Sequence, residues 1–195
     1  LVAQADATAH HLGIEDAPPG KVLGALPLFH VFALTTVLGL ALRTGAEMVL
    51  LPRYELKLAL KTIIRTRPTY FPAVPTIFHA IAEAAGKTKI DLSMINVCIS
   101  GGAPLPAEVR DAFTRTTGAH LIEGYGLSEA SPIITCNPVD GSDKAGSAGR
   151  PYPATTIEIR DPEVPHGLKP MGEPGEICAR GPQVMLGYWK RPADT

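Results

Sequence analysis

Cysteine is scarce in this sequence, and what there is does not cluster. Cys98, Cys136 and Cys178 are the whole complement. No two stand at a CxxC spacing, which argues against a thiolate metal site or a redox dithiol. Such sparse cysteine fits reduced thiols in a cytoplasm, each acting as a small buried hydrophobe. Basic runs are missing as well. With 18 basic and 19 acidic residues the net charge is −1, which offers no surface for nucleic acid. The longest apolar stretch, around Val31 to Leu42, is broken by threonines and closed by Arg43. It is too short to span a bilayer and reads as a buried helix. There is no internal repeat, no low-complexity tract and no signal-peptide pattern. The chain opens at Leu1 without Met and stops at Thr195 without a helix-ending signal, so both ends are expected to be cuts.

What remains is a globular composition. Hydrophobic residues make up 45% of 195 positions, enough to bury a sizeable core. Short apolar runs at 22–26, 47–51, 69–71, 95–99 and 120–123 read as strands. Helical patterns lie between them. Glu55 to Arg65 puts Leu56, Ala59, Leu60, Ile63 and Ile64 on one face, with Lys57, Lys61 and Arg65 as a solvated row on the other. Thr76 to Ala85 is expected to stop at Gly86, and Pro106 to Thr117 before Gly118. This alternation predicts an α/β fold, with a mainly parallel sheet flanked by helices. The pattern changes after Cys136. Residues 137–149 read as a Gly-, Ser- and Asp-rich loop, and 156–160 and 176–180 alternate in the manner of antiparallel strands. We therefore expect an α/β unit over 1–138 and a small antiparallel β region, part of a barrel, over 139–195.

Three clusters follow predicted strands, where ligands sit in open α/β sheets. Ser100-Gly101-Gly102-Ala103-Pro104-Leu105 would let a flat ligand approach the backbone; taken alone it reads first as a tight strand-to-helix turn. Glu123-Gly124-Tyr125-Gly126-Leu127-Ser128-Glu129 offers more. Tyr125 between two glycines has a face free for a purine, Ser128 can donate to a phosphate, and Glu129 can hold Mg²⁺. The alternative is a polar turn with a core-facing Tyr. The third cluster, Pro27-Leu28-Phe29-His30-Val31-Phe32, carries a histidine that could face a substrate carboxylate, or could be a satisfied core residue.

Taken in order, Leu26-Pro27-Leu28-Phe29-His30, the two glycine clusters, and Gly175 to Gly181 through Gly187-Tyr188-Trp189 resemble the core motifs of the adenylate-forming superfamily. That group includes acyl-CoA synthetases, peptide-synthetase adenylation domains and luciferases. The resemblance covers nearly the whole chain and is closest to bacterial long-chain fatty-acid ligases. It implies two α/β subdomains and a β-barrel, then a mobile C-terminal domain. By the resemblance, Gly102, Ala103 and Pro104 would line the adenine pocket. Tyr125 would stack on adenine, with Glu123, Gly124, Gly126 and Leu127 around it. Ser128, where the family usually has Thr, would contact the α-phosphate. Glu129 would bind Mg²⁺, and His30 would sit near the reacting carboxylate.

The resemblance further implies ATP (leaving as AMP), Mg²⁺ and CoA as cofactors or co-substrates, and a fatty acid as substrate. The enzyme would be cytoplasmic, with peripheral association at the inner membrane face as the alternative; oligomeric state is not legible. A carboxylate attacks the α-phosphorus of ATP, then CoA thiolate attacks the mixed anhydride. No protein nucleophile is required, which agrees with the lack of a Ser–His–Asp pattern. The family's Gly-rich phosphate loop and its Lys would precede Leu1; its ribose-gripping Asp and C-terminal Lys would follow Thr195. The isolated chain is therefore expected to be inactive. Two alternatives stay open: another adenylate-forming enzyme, with an aryl, amino or short-chain acid or a carrier-protein acceptor, and a non-catalytic α/β binding module.

Overall fold

The computed structural model describes residues 1–88, 90–164 and 167–195. Seven strands form one sheet in the order β2-β1-β3-β4-β5-β6-β7. They are β1 (Lys21–Gly24), β2 (Glu47–Leu50), β3 (Tyr70–Ala73), β4 (Val97–Ser100), β5 (Leu121–Gly126), β6 (Ile133–Cys136) and β7 (Arg150–Pro151). The first five are parallel, and β6 and β7 are added antiparallel. The sheet is thus mainly parallel, and residues beyond 138 supply its last strand. A separate antiparallel pair, β8 (Thr156–Arg160) and β9 (Glu176–Arg180), lies where alternation placed two strands.

Strand period explains the two-sided core. Leu23, Phe71, Cys98 and Leu121 point to one face; their neighbours Val22, Tyr70, Ile99 and Ile122 point to the other. Helices α4 (Leu56–Thr66), α5 (Pro75–Thr88) and α6 (Ala107–Thr117) follow β2, β3 and β4, and α5 and α6 bring Phe78 and Phe113 into the first core. There Phe71, Phe78 and Phe113 form an edge-to-face series with centroids 5.3 and 5.1 Å apart. The second core receives α1 (Val2–His11) through Ala9, and the helical stretch after His30 through Phe32, Ala33, Val37 and Leu40.

Several local expectations change. The stretch read as one helix over 31–42 runs as α2 (Val31–Ala33), a π-helical segment Leu34–Gly39, and α3 (Leu40–Thr44). Gly86 does not stop α5, which continues to Thr88; an exposed glycine lowers helix propensity without breaking the hydrogen-bond ladder. Ile64 is exposed, so the apolar stripe of α4 is narrower than its composition suggests. Helix α1 and strands β6 and β7 were not anticipated. Among the described residues no helix is long and apolar enough to cross a membrane.

Candidate active site

Parallel strands deliver their carboxyl ends to one edge, and the loops leaving β1, β4 and β5 meet there. They enclose a cleft of about 190 Å³ lined by His30, Gly102, Gly124, Tyr125, Gly126 and Ser128, among others including Phe32 and Leu127. The fit is close at the backbone. A Cβ on Gly101 would lie 3.0 Å from Phe32 Cζ and 3.4 Å from the Gly124 carbonyl, so a side chain there would press the buried Phe32 out of place. Gly102 has φ 81°, a left-handed conformation that favours glycine. Tyr125 is 42% exposed, leaving part of its ring uncovered at the cleft.

Backbone bonds hold this edge. Leu127 N–H donates to the Pro132 carbonyl at 2.9 Å and closes the turn that carries Ser128 and Glu129. Gly126 is obligatory within it: a Cβ there would collide with the same Pro132 carbonyl. The turn is tied to the His30 helix by the Thr35 hydroxyl, which donates to the Ser131 carbonyl at 3.1 Å. His30 caps that helix. Phe32 N–H donates to its Nδ1 at 3.2 Å, so the ring's own proton belongs on Nε2. His30 is exposed, which removes the satisfied-core alternative for this residue.

Other predicted residues are placed differently. Ala103 and Pro104 are exposed on the loop beyond Gly102 and do not line the cleft. Glu123 turns away from it. Its Oε1 accepts the Leu105 N–H at 3.1 Å, and its carbonyl accepts the Asn137 N–H at 2.9 Å. Burial pushes the Glu123 carboxyl above the ordinary range, partly offset by the Leu105 hydrogen bond. Glu129 sits on the short 3-10 turn Ser128–Ala130, outside the cleft lining. Its Oε1 accepts the Tyr188 hydroxyl at 2.6 Å, a bond that holds the carboxyl below its usual range. Nothing in the residue pattern signalled that partnership, although Gly187-Tyr188-Trp189 stood out as a motif.

Among the described residues no three His, Cys, Asp or Glu converge as a metal cage. That donor set still suits Mg²⁺, which commonly takes one or two carboxylates and completes its shell with phosphate oxygens and water. Glu129 offers one carboxylate beside this edge, with its Oε1 taken by the Tyr188 hydroxyl. Cys136 is buried, with its thiol pushed up to about 12, and is not a nucleophile. Larger hollows exist, one of about 540 Å³ beside His10, His11 and Arg150 and one of about 400 Å³ between α5 and α6. Neither touches the motif residues.

A family model described as AMP-binding enzyme matches residues 1–189. A long-chain-fatty-acid–CoA ligase of Bacillus subtilis (strain 168) is 45% identical over 175 residues, covering 90% of this chain and 31% of the relative. ATP-bound MatB from Rhodopseudomonas palustris superposes with TM-score 0.89 at 27% identity, covering 98% of this chain and 37% of that one. O-succinylbenzoate coenzyme A synthetase from Bacillus subtilis, in complex with ATP and magnesium ion, gives 0.84 at 30% identity, over 98% of this chain and 38% of that one. The chain spans about a third of the length of the curated relatives it matches. With its parallel sheet, its glycine-lined edge and a family match over nearly every residue, the chain belongs to the AMP-binding enzyme family.

Proposed function

We propose that this chain is the nucleotide-facing segment of an ATP-dependent fatty-acid–CoA ligase, which activates a carboxylic acid as acyl-adenylate and passes it to CoA. The observation that carries this reading is the single cleft that gathers His30, Gly102, Tyr125 and Ser128 from three strand ends. At about 190 Å³ it is smaller than the roughly 300–1,000 Å³ of a complete ligand pocket, and so suits one flat base rather than a whole nucleotide. Tyr125 offers the stacking face. Gly102 and Gly124 admit a ring edge close to the backbone, and Ser128 on the cleft wall would supply a hydroxyl donor to the α-phosphate. His30, with its proton on Nε2, is a donor for the oxygen of the attacking acid or the phosphate it meets. Bound Mg²⁺ would neutralise phosphate charge as the α-phosphorus is attacked. Glu129 is the side chain that would hold it.

Ala103 and Pro104 belong to the rim of this adenine site, and Glu123 borders it from behind. The division at 138, with 139–195 forming part of a barrel, belongs to the same proposal, as does a cytoplasmic enzyme touching the membrane only peripherally. The acid is the open choice. A neighbour whose name specifies o-succinylbenzoate favours a second reading with a non-fatty acid on the same scaffold. The test is pyrophosphate release by the full-length protein with ATP, Mg²⁺ and a panel of fatty, aryl and short-chain acids, followed by thioester detection with CoA. Release stimulated most by long-chain fatty acids is expected. Release only with another acid moves the assignment to the second reading, and none with any acid ends the ligase proposal.

A further inference from the structure

Two segments far apart in the sequence grip one another at Glu129. The Tyr188 hydroxyl donates to Glu129 Oε1 at 2.6 Å, and Met185 N–H donates to the Glu129 carbonyl at 2.7 Å. One short stretch of chain therefore fixes both the side chain and the backbone of this residue. Tyr188 is itself held. Its N–H donates to Thr195 Oγ1 at 3.0 Å, its carbonyl accepts Arg191 N–H at 3.1 Å, and the Thr195 hydroxyl donates to the Arg191 carbonyl at 3.1 Å. Arg191 and Asp194 close the same turn with an ion pair at 2.6 Å. Gly187 is needed for this closure, because a Cβ there would lie 2.6 Å from Thr195 Cγ2.

We propose that Tyr188 is a positioning residue for the Glu129 carboxylate, presenting it to the metal–nucleotide in a fixed orientation; the inference rests on the ligase reading above. A carboxylate has two oxygens and several lone-pair directions. The phenol occupies Oε1, and no other residue among those described hydrogen-bonds the second oxygen. Fixing one oxygen decides where the other points. A ligating carboxylate left to rotate would pay for its own ordering each time the metal bound, which weakens binding without touching a ligand. Removing such an outer partner commonly costs about 10- to 100-fold in metal affinity. The half-exposed phenol belongs at the lower end of that range.

The experiment uses the full-length protein and four variants: Tyr188→Phe, Glu129→Gln, the double variant and Thr195→Val. Two quantities are read: the Mg²⁺ concentration for half-maximal pyrophosphate release, and Mn²⁺ binding by electron paramagnetic resonance with a non-hydrolysable ATP analogue. Tyr188→Phe is expected to weaken both by about 10-fold, leaving KM for the acid unchanged. In the Glu129→Gln background it should add nothing. Thr195→Val, which frees the Tyr188 N–H without touching Glu129, should give a smaller shift of the same sign and keeps the question answerable if Tyr188→Phe folds poorly. Unchanged metal dependence in both Tyr188→Phe and Thr195→Val, with Glu129→Gln impaired, overturns the positioning role and leaves the ligase reading intact. Unchanged metal dependence in Glu129→Gln removes Glu129 from the site and the inference with it.

Discussion

The seven-stranded sheet and the β8–β9 pair treat their apolar side chains in opposite ways. In the sheet, alternate residues go to two cores, and Phe71, Phe78, Phe113, Leu121 and Ile99 are fully buried. In the two-stranded pair nothing is buried to that degree; Ile177 is 48% exposed, and Met171 and Leu186 nearby are fully exposed. An isolated pair of strands is marginal in water, because it cannot cover even one apolar face. The sheet thus carries the chain's stability, while the later segment contributes contacts. The proposed site draws on both. Its cleft is built by strand ends of the sheet, and its carboxylate is held by Tyr188 from beyond β9.

The strongest way to break this contrast is to cut one large side chain from each region. Phe78→Ala empties a place between two other rings and should cost about 3–5 kcal/mol. Ile177→Ala removes a half-exposed side chain and should cost under about 1 kcal/mol. Urea denaturation of the chain measures both. Equal losses would mean that the later segment has a core of its own.

Legibility follows the same divide. Strands β1 to β5 were readable because buried parallel strands leave dense β-branched runs between amphipathic helices, as in Val97-Cys98-Ile99. The β8–β9 pair was readable from alternation alone. Helix α1 was not, because Val2 to His11 mixes alanine with polar residues and shows little amphipathic contrast. Strand β6 was hidden because it lies between a proline and a loop and is recruited antiparallel only after the chain turns at Ser131. The cleft was legible as three motifs after three strands, since topology alone sends their ends to one edge. The Tyr188–Glu129 bond was not, because 59 residues separate the partners and no local pattern encodes a contact of that range.

Gly126 tests whether the cleft depends on backbone shape rather than side-chain chemistry. In Gly126→Ala the new methyl meets the Pro132 carbonyl, so the turn carrying Ser128 must move. Overpacking of this kind should cost about 1–3 kcal/mol of stability. Ala at Gly141, where φ is 83° but the surroundings are open, should be milder despite its strain. Thermal unfolding ranks the two, and a milder effect at Gly126 would dissolve the steric argument. Tyr125→Ala asks the chemical question instead. Losing a stacking face should weaken nucleotide binding in the full-length protein by roughly 1–3 kcal/mol, or roughly 5- to 150-fold in KM for ATP. Fold stability should barely change, because Tyr125 is already 42% exposed. A KM within twofold of wild type would take the ring out of the adenine site.

The smallest expected effect lies behind the cleft, at Glu123, and it is visible only as a function of pH. Burial raises the Glu123 carboxyl above the ordinary glutamate range, so the folded state binds this proton more tightly than the unfolded chain does. A raised carboxyl stabilises the fold fully below the unfolded value, and that contribution is lost as pH rises through the folded one. Gln keeps an acceptor for the Leu105 N–H and has no charge to bury. Glu123→Gln should therefore match wild type near pH 4, to within about 0.5 kcal/mol, and melt higher than wild type near pH 7. Melting temperatures of both proteins from pH 4 to pH 7 give the comparison. A difference that stays flat would mean Glu123 is solvated when charged. A difference of opposite sign would mean that its carboxylate is stabilised by the Leu105 N–H more than burial penalises it, and would mark the back of the cleft as a charged wall.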